Sequence, residues 1–324
     1  MAERSIIIIG AGIGGLAAGC YARMNGYRAQ IFEMHSIPGG VCTAWKRKGY
    51  TFDGCIHHLA GSSPGTRAHR MWQELGAMPR PIYFLEDLIC IEDTDGRRFT
   101  VYTDLDRLER HMLELSPADA PVTLEFIEAA RRFARFNLME MLFARPWEML
   151  GMLPNLGLLG KWGKVTLEQY AQRFSDPLLR RAFPMIQYDF PDIPVLVALM
   201  FLSGCHTRYL GWPAGGALEF ARSIERRYRE LGGEIQYRAR VAKVLVEPTP
   251  HRPPHGGDKR GGGDRAVGVR LTDGTEHRAD IVISNADGRS TIYDMLDGRY
   301  TTERIQASYD NAPASQVMAL HVSL

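Results

Sequence analysis

The sequence has 324 residues, 45% hydrophobic and 23% charged, enough to bury a substantial core and to build two domains. Its 39 Lys and Arg against 37 Asp and Glu leave a formal charge of +2, which supplies no single-sign field for nucleic acid, so no nucleic-acid partner is expected. Five scattered cysteines (Cys20, Cys42, Cys55, Cys90, Cys205) lack CxxC spacing and form an odd count; they read as buried, inert thiols of a cytoplasmic protein.

Ile6 to Ile9 is a β-branched run that reads as a strand buried on both faces, and Ile13 to Asn25 carries helix formers up to a stop at Gly26. A second buried strand, "RAQIFE", follows, and this order opens a parallel sheet. Tyr83 to Thr103 predicts two or three strands turning at Asp95-Gly96, and Leu105, Leu108, Met112 and Leu115 then share one helical face. From Thr123 to Phe190 helical periodicity dominates and implies a helical subdomain, with a capping box at Thr166 to Gln169. The apolar stretch from Ile193 to Cys205 falls short of the roughly 20 residues a membrane-spanning helix needs. Residues 215 to 233 predict an amphipathic helix ending at Gly232-Gly233. "EIQYRARVAKVLVE", "AVGVRLTDG" and "TEHRADIVISNAD" predict a small β-meander whose last strand, Ile281 to Ser284, rejoins the parallel sheet. The Pro/Gly-rich stretch from 248 to 265 reads as a surface insertion.

Chemistry concentrates at the first turn. Gly10, Gly12 and Gly15 form G-x-G-x-x-G directly after a buried strand and at a helix start, within Gly10-Ala-Gly12-Ile13-Gly14-Gly15. The first glycine permits the tight turn, the second lets the backbone approach a diphosphate, and the third packs helix on strand. The helix N-terminus meets the anion with free N–H groups and the positive end of its dipole. Glu33, at the end of the second strand, can accept hydrogen bonds from ribose hydroxyls and would repel a 2′-phosphate. A dinucleotide site follows from these residues; FAD and NAD are not separated by glycines alone.

Past Glu33 stand Gly39-Gly40, Thr43 and "GYTFDGCIHH", and later come "GWPAGGALEFARSI", "RARVAKVLVE" and "ADIVISNADGRSTIYDML". With the first glycines and Glu33, these segments resemble the FAD-dependent amine-oxidase-like superfamily, in the branch of phytoene and carotenoid desaturases, carotenoid isomerases and retinol saturases. The resemblance spans nearly the whole chain. It implies FAD, with the second doublet beside the phosphates and the backbone of Val241 at the adenine. Val41 stands where the family usually carries Arg. The implied fold is α/β: a Rossmann-type FAD-binding domain from 1–81 and 214–299, with parallel sheet and meander, and an α+β substrate domain from 82–213 and 300–324. Family members continue past the position of Leu324, so the chain is expected to be truncated within the substrate domain.

The implied activity is FAD-dependent oxidation or reduction of a polyene or similar apolar substrate, by desaturation, saturation or flavin-dependent cis-trans isomerisation. NAD(P)H or a quinone would be the redox partner. His57 and His58 are candidate proton donors or acceptors near the flavin, and structural histidines are the alternative. Asp53 divides likewise between orienting a flavin-site loop and turn chemistry. Met, Leu and Trp between Asn137 and Lys164, flanked by Lys161 and Lys164, suit an apolar tunnel or a peripheral membrane contact, and equally an ordinary helical core. No metal-ligand spacing and no hydrolase triad motif occurs. A non-catalytic carrier of lipid or prenyl groups on the same fold, and an NAD-dependent dehydrogenase, are the competing readings.

Overall fold

The computed structural model describes residues 4–56, 58–78, 81–145, 147–187, 190–248, 263–310 and 321–323. The insertion anticipated between 248 and 265 therefore lies mostly outside the described residues. The chain resolves into two compact units, one of residues 1–56, 74–77 and 215–324, the other of 57–73 and 78–214.

In the first unit, Ser5–Ile9 lies at the centre of a parallel sheet ordered Glu234–Gln236, Arg28–Phe32, Ser5–Ile9, Ile281–Ser284. Ile6 to Ile9 are buried, Ile7 and Ile9 in a cluster with Val241, Val244, Val269 and Leu271, each side chain contributing about 1.5–3 kcal/mol on burial. The Ile13–Met24 helix crosses over to Arg28–Phe32, and the Gly216–Glu230 helix packs against it. Gly19 allows that approach: a Cβ there would sit 2.7 Å from the Tyr228 ring, whose hydroxyl donates to Ala29 O at 2.7 Å.

An antiparallel meander of Val241–Pro248, Asp264–Leu271 and Glu276–Arg278 precedes the Ile281–Ser284 strand, which joins Ser5–Ile9 in parallel as anticipated. The "EIQ" segment departs from its reading as part of the meander. Ile235 pairs opposite Ile31, so Glu234–Gln236 extends the parallel sheet instead. Thr43–Arg47 and Tyr50–Gly54 form a hairpin around Lys48 and Gly49, both at positive φ, with Trp45 stacked on Phe52.

In the second unit, Leu59–Ala60 and Ile82–Tyr83 flank Leu210–Pro213, and Asp87–Glu92 pairs with Arg98–Tyr102 across the Asp95-Gly96 turn. The Leu105–Leu115 helix buries Leu105, Leu108 and Met112, with Asp104 accepting from Arg107 N at its start. The helices Ala120–Arg135 and Val195–His206 share one core with Phe174, Phe183 and Tyr170. The capping box forms as the spacing requires, Thr166 Oγ1 accepting from Gln169 N while Gln169 Oε1 accepts from Thr166 N.

The compact units divide the chain differently from the sequence-based domains at residues 57–73, 78–81, 214 and 300–324. Residues 57–73 fall in the second unit because Leu59–Ala60 pairs with Leu210–Gly211. Residues 300–310 fall in the first, where Tyr300 meets Asp264 and Tyr309 packs on Tyr293. Among the described residues no helix is long and apolar enough to cross a membrane. Cys20, Cys42 and Cys205 are buried, but Cys55 and Cys90 are exposed, so the reading of all five as buried thiols fails for two. A hairpin's alternation puts Cys90 on an outer face, which its apolar neighbours in sequence conceal.

Candidate functional site

The Ser5–Ile9 strand hands over to the Ile13–Met24 helix through Gly10, held at φ +94° with its N–H donating to Phe32 O at 2.8 Å. A side chain there would be strained whatever the space around it. Gly15 is fixed differently: a Cβ would collide with Gly10 O, so only glycine lets the helix sit this close to the strand end. Gly12 is the helix N-cap in extended conformation, and no side chain caps the helix. The first-turn N–H groups thus have no capping oxygen from the helix's own N-cap and retain the dipole's positive end. Ile13 is half-buried and Gly14 is exposed.

The second glycine pair comes directly onto the first. Gly39 N donates to Ala11 O at 2.8 Å, Gly39 bridges Gly12 in parallel, and a Cβ on Gly40 would lie 3.4 Å from Gly12 Cα. Gly39 and Gly40 both take positive φ. Two stretches of bare main chain therefore face each other, and Gly39 is required by its own turn, where a Cβ would collide with Cys42 O. Val41, in the place of the family's usual Arg, is 81% exposed, and half-buried Thr43 begins the hairpin.

Glu33 is only 4% exposed, and each oxygen of its carboxylate accepts one backbone hydrogen bond at the turn. Oε2 accepts from Ala11 N at 2.6 Å and Oε1 from His35 N at 2.8 Å. Hydrogen bonds to a charged acceptor contribute about 1.5–3 kcal/mol each, so this acid fixes the glycine turn. Each oxygen keeps a further lone pair for a hydroxyl. Ala239 N donates to Glu33 O at 2.8 Å, which brings the start of the Val241–Pro248 strand alongside; Val241 itself is buried with Ile7, Ile9 and Phe32.

The turn, the doublet, Glu33 and Val241 thus gather at one end of one unit. The residues fit an adenine dinucleotide: an uncapped helix N-terminus and facing glycines for a diphosphate, and a buried carboxylate for a ribose. His58 belongs to the second unit, edge-on to Phe201 at 4.7 Å between ring centroids and near Trp212 and Cys205. His57 lies outside the described residues. Asp53 is a capping residue: both carboxylate oxygens accept from Ala217 N, at 2.9 and 3.1 Å, holding the start of the Gly216–Glu230 helix where Gly216 takes φ +72°. No cluster able to hold a metal ion exists among the described residues.

One residue at this end escaped the sequence reading. Asn285 follows the Ile281–Ser284 strand, its N–H bonded to Ile9 O at 2.9 Å, and its carboxamide lies over the glycine turn. It falls within "ADIVISNADGRSTIYDML", but nothing in that segment alone places it over the turn, since its position depends on pairing between strands at opposite ends of the sequence.

Comparison with known proteins agrees with this geometry. Residues 8–75 match the NAD(P)-binding Rossmann-like domain. The chain is similar to a neurosporene-forming phytoene desaturase of Rhodobacter capsulatus, 26% identical over 305 residues, covering 90% of this chain and 54% of the relative. It is likewise 26% identical to the chloroplastic prolycopene isomerase of Arabidopsis thaliana, over 98% of this chain and 53% of the relative. The chain spans about half the length of the curated relatives it matches. A solved oxidoreductase from Methanosarcina mazei shares the fold, with a TM-score of 0.56 and 18% identity over 94% of this chain and 64% of that one. The resemblance to carotenoid desaturases and isomerases, and the α/β Rossmann-type fold implied by it, are thereby borne out.

Proposed function

We propose that the protein binds FAD at the facing glycine segments and acts as an FAD-dependent oxidoreductase on a polyene or other long apolar molecule. Contact between Gly39-Gly40 and Gly12 carries the reading, because an NAD-dependent dehydrogenase has no use for a second glycine pair at the diphosphate. Similarity to a phytoene desaturase and a prolycopene isomerase supports the substrate class and, within it, desaturation or isomerisation.

Bound flavin would supply the hydride or electron chemistry at carbon-carbon bonds. The chain's own part is positioning. Amides at the start of the Ile13–Met24 helix would receive the diphosphate, with backbone from both glycine segments closing over it. Glu33 would accept from the adenosine ribose, and its negative charge disfavours a 2′-phosphate. Val41 offers no charge, so binding at the doublet would rest on main chain alone. Val241 would border the adenine through its backbone.

Trp147, Leu150 and Leu156 are exposed by 62%, 65% and 53%, with the Arg145 guanidinium over the Trp147 ring. Such apolar anchors beside a cation support a peripheral membrane contact, the place where an apolar substrate is stored. The reaction is tested by mixing flavin-loaded protein anaerobically with NAD(P)H and, separately, with polyenes of graded desaturation in liposomes. Altered polyene absorption accompanied by flavin turnover or flavin-dependent isomerisation is expected; polyene spectra unchanged under every redox condition would refute the assignment.

A further inference from the structure

Asn285 sits at the point where the order of the parallel sheet reverses. Arg28–Phe32 and Glu234–Gln236 extend from one side of Ser5–Ile9, and Ile281–Ser284 flanks the other. In open α/β sheets ligands bind in the crevice beyond the strand ends at this reversal. Ile9 pairs with Ser284 and Asn285 N donates to Ile9 O, so the Asn285 main chain is tied to the end of the central strand and its side chain alone is free to reorient. The side chain is directed at the glycines. A Cβ on Gly14 would lie 2.5 Å from Asn285 Oδ1, and one on Gly12 would lie 2.9 Å from Nδ2. Asp287, the next polar side chain on this loop, is turned away onto Ser290 N at 2.7 Å, so it brings no carboxylate against the turn through that contact.

The glycines therefore face a carboxamide as well as solvent. An amide is neutral and carries two N–H donors, so it can approach an anion without repulsion and can rotate to donate. Its oxygen lies at the start of the helix, where orphan N–H groups favour an acceptor. We propose that Asn285 is a diphosphate-positioning residue: its carboxamide covers the glycine turn in the free protein, and on dinucleotide binding it rotates to donate from Nδ2 to a phosphate oxygen. This rests on the dinucleotide reading above and extends it to a residue outside the fingerprint. It also offers a replacement for the charged contact that Val41 cannot make.

The test compares FAD, ADP and adenosine affinities, by calorimetry, for wild type, Asn285→Ala and Asn285→Asp. Loss of one hydrogen bond to a charged phosphate weakens binding by roughly tenfold or more. Asn285→Ala is expected to lose about that factor for FAD and ADP but to keep adenosine affinity within about twofold, since adenosine has no diphosphate. Asn285→Asp keeps the shape and adds a repelling charge, so its loss for FAD and ADP should exceed that of the alanine variant. Wild type that binds FAD while Asn285→Ala binds FAD and ADP equally well would overturn the Asn285 role alone. A parallel fall in adenosine affinity would do the same, by revealing a general structural effect. Wild type without affinity for FAD or ADP would overturn the cofactor reading and this one together.

Discussion

Glu33 Oε2 accepts a hydrogen bond from Ala11 N at 2.6 Å, so the acid at the end of the second strand holds the middle of the glycine turn. Removing its charge therefore acts twice. Glu33→Gln is expected to weaken dinucleotide binding about tenfold or more and to lower stability by about 1–3 kcal/mol, because a buried donor loses its charged acceptor. Paired titration calorimetry and urea unfolding check both effects; unchanged affinity would remove Glu33 from the site.

Gly15 and Gly40 separate packing from binding. Gly15→Ala drives a methyl into Gly10 O and should destabilise the first unit by several kcal/mol, on the order of the larger strain effects. Gly40 takes φ +62° with its Cβ direction toward Gly12 Cα, 3.4 Å away. Gly40→Ala should cost about 1–2 kcal/mol through the unfavourable backbone and also reduce cofactor uptake. Thermal unfolding with and without added dinucleotide distinguishes the two variants: only Gly40→Ala should retain a folded protein with a smaller ligand-induced rise in Tm.

Asp53 is expected to matter for folding rather than for proton transfer. Asp53→Ala leaves the Gly216–Glu230 helix without its carboxylate cap, a loss of about 0.5–2 kcal/mol, and Asp53→Asn should recover part of it. Denaturant midpoints measure this. A pH–rate profile altered by Asp53→Asn at unchanged stability would instead place the group in the chemistry.

The second unit carries an acid-sensitive tie. Burial pushes the Asp119 carboxyl upward, but hydrogen bonds from the Ser175 and Asp176 amides and the Ser175 and Ser116 hydroxyls outweigh it, and the carboxyl is held below its ordinary range. A depressed value in the folded state gives stability that is present above the ordinary carboxyl range and is lost as pH falls through the folded value. Asp119→Asn should therefore cost about 1–3 kcal/mol at neutral pH, with the difference from wild type shrinking below about pH 4. Urea midpoints across this range that differ by a constant amount would contradict the linkage.

Thiol labelling should report burial directly. Burial raises Cys20 to about 11 and, as the main cause, Cys42 and Cys205 to about 12. In the native protein Cys55 and Cys90 should react with a thiol reagent and these three should wait for unfolding. Mass spectrometry of labelled peptides identifies the order.

The glycine turn was legible in the sequence because its geometry is local: strand, tight turn and helix start occupy consecutive residues, and Gly10 and Gly15 each answer a constraint within that span. The parallel crossover was legible for the same reason. Asp53 was not resolved, because the amide it caps belongs to Ala217, 164 positions away. Asn285 was missed because register with Ile9 alone puts it over Gly12 and Gly14. The "EIQ" strand was misread because three residues of alternating character suit either a meander or a sheet edge, and the pairing of Ile235 with Ile31 decides it.

The most direct test is to purify the protein without added cofactor, record its visible spectrum, and release the nucleotide by acid for mass measurement. A flavin spectrum and the mass of FAD at close to one per chain are predicted. A colourless protein that takes up no FAD on reconstitution, or one that releases NAD, would contradict the account.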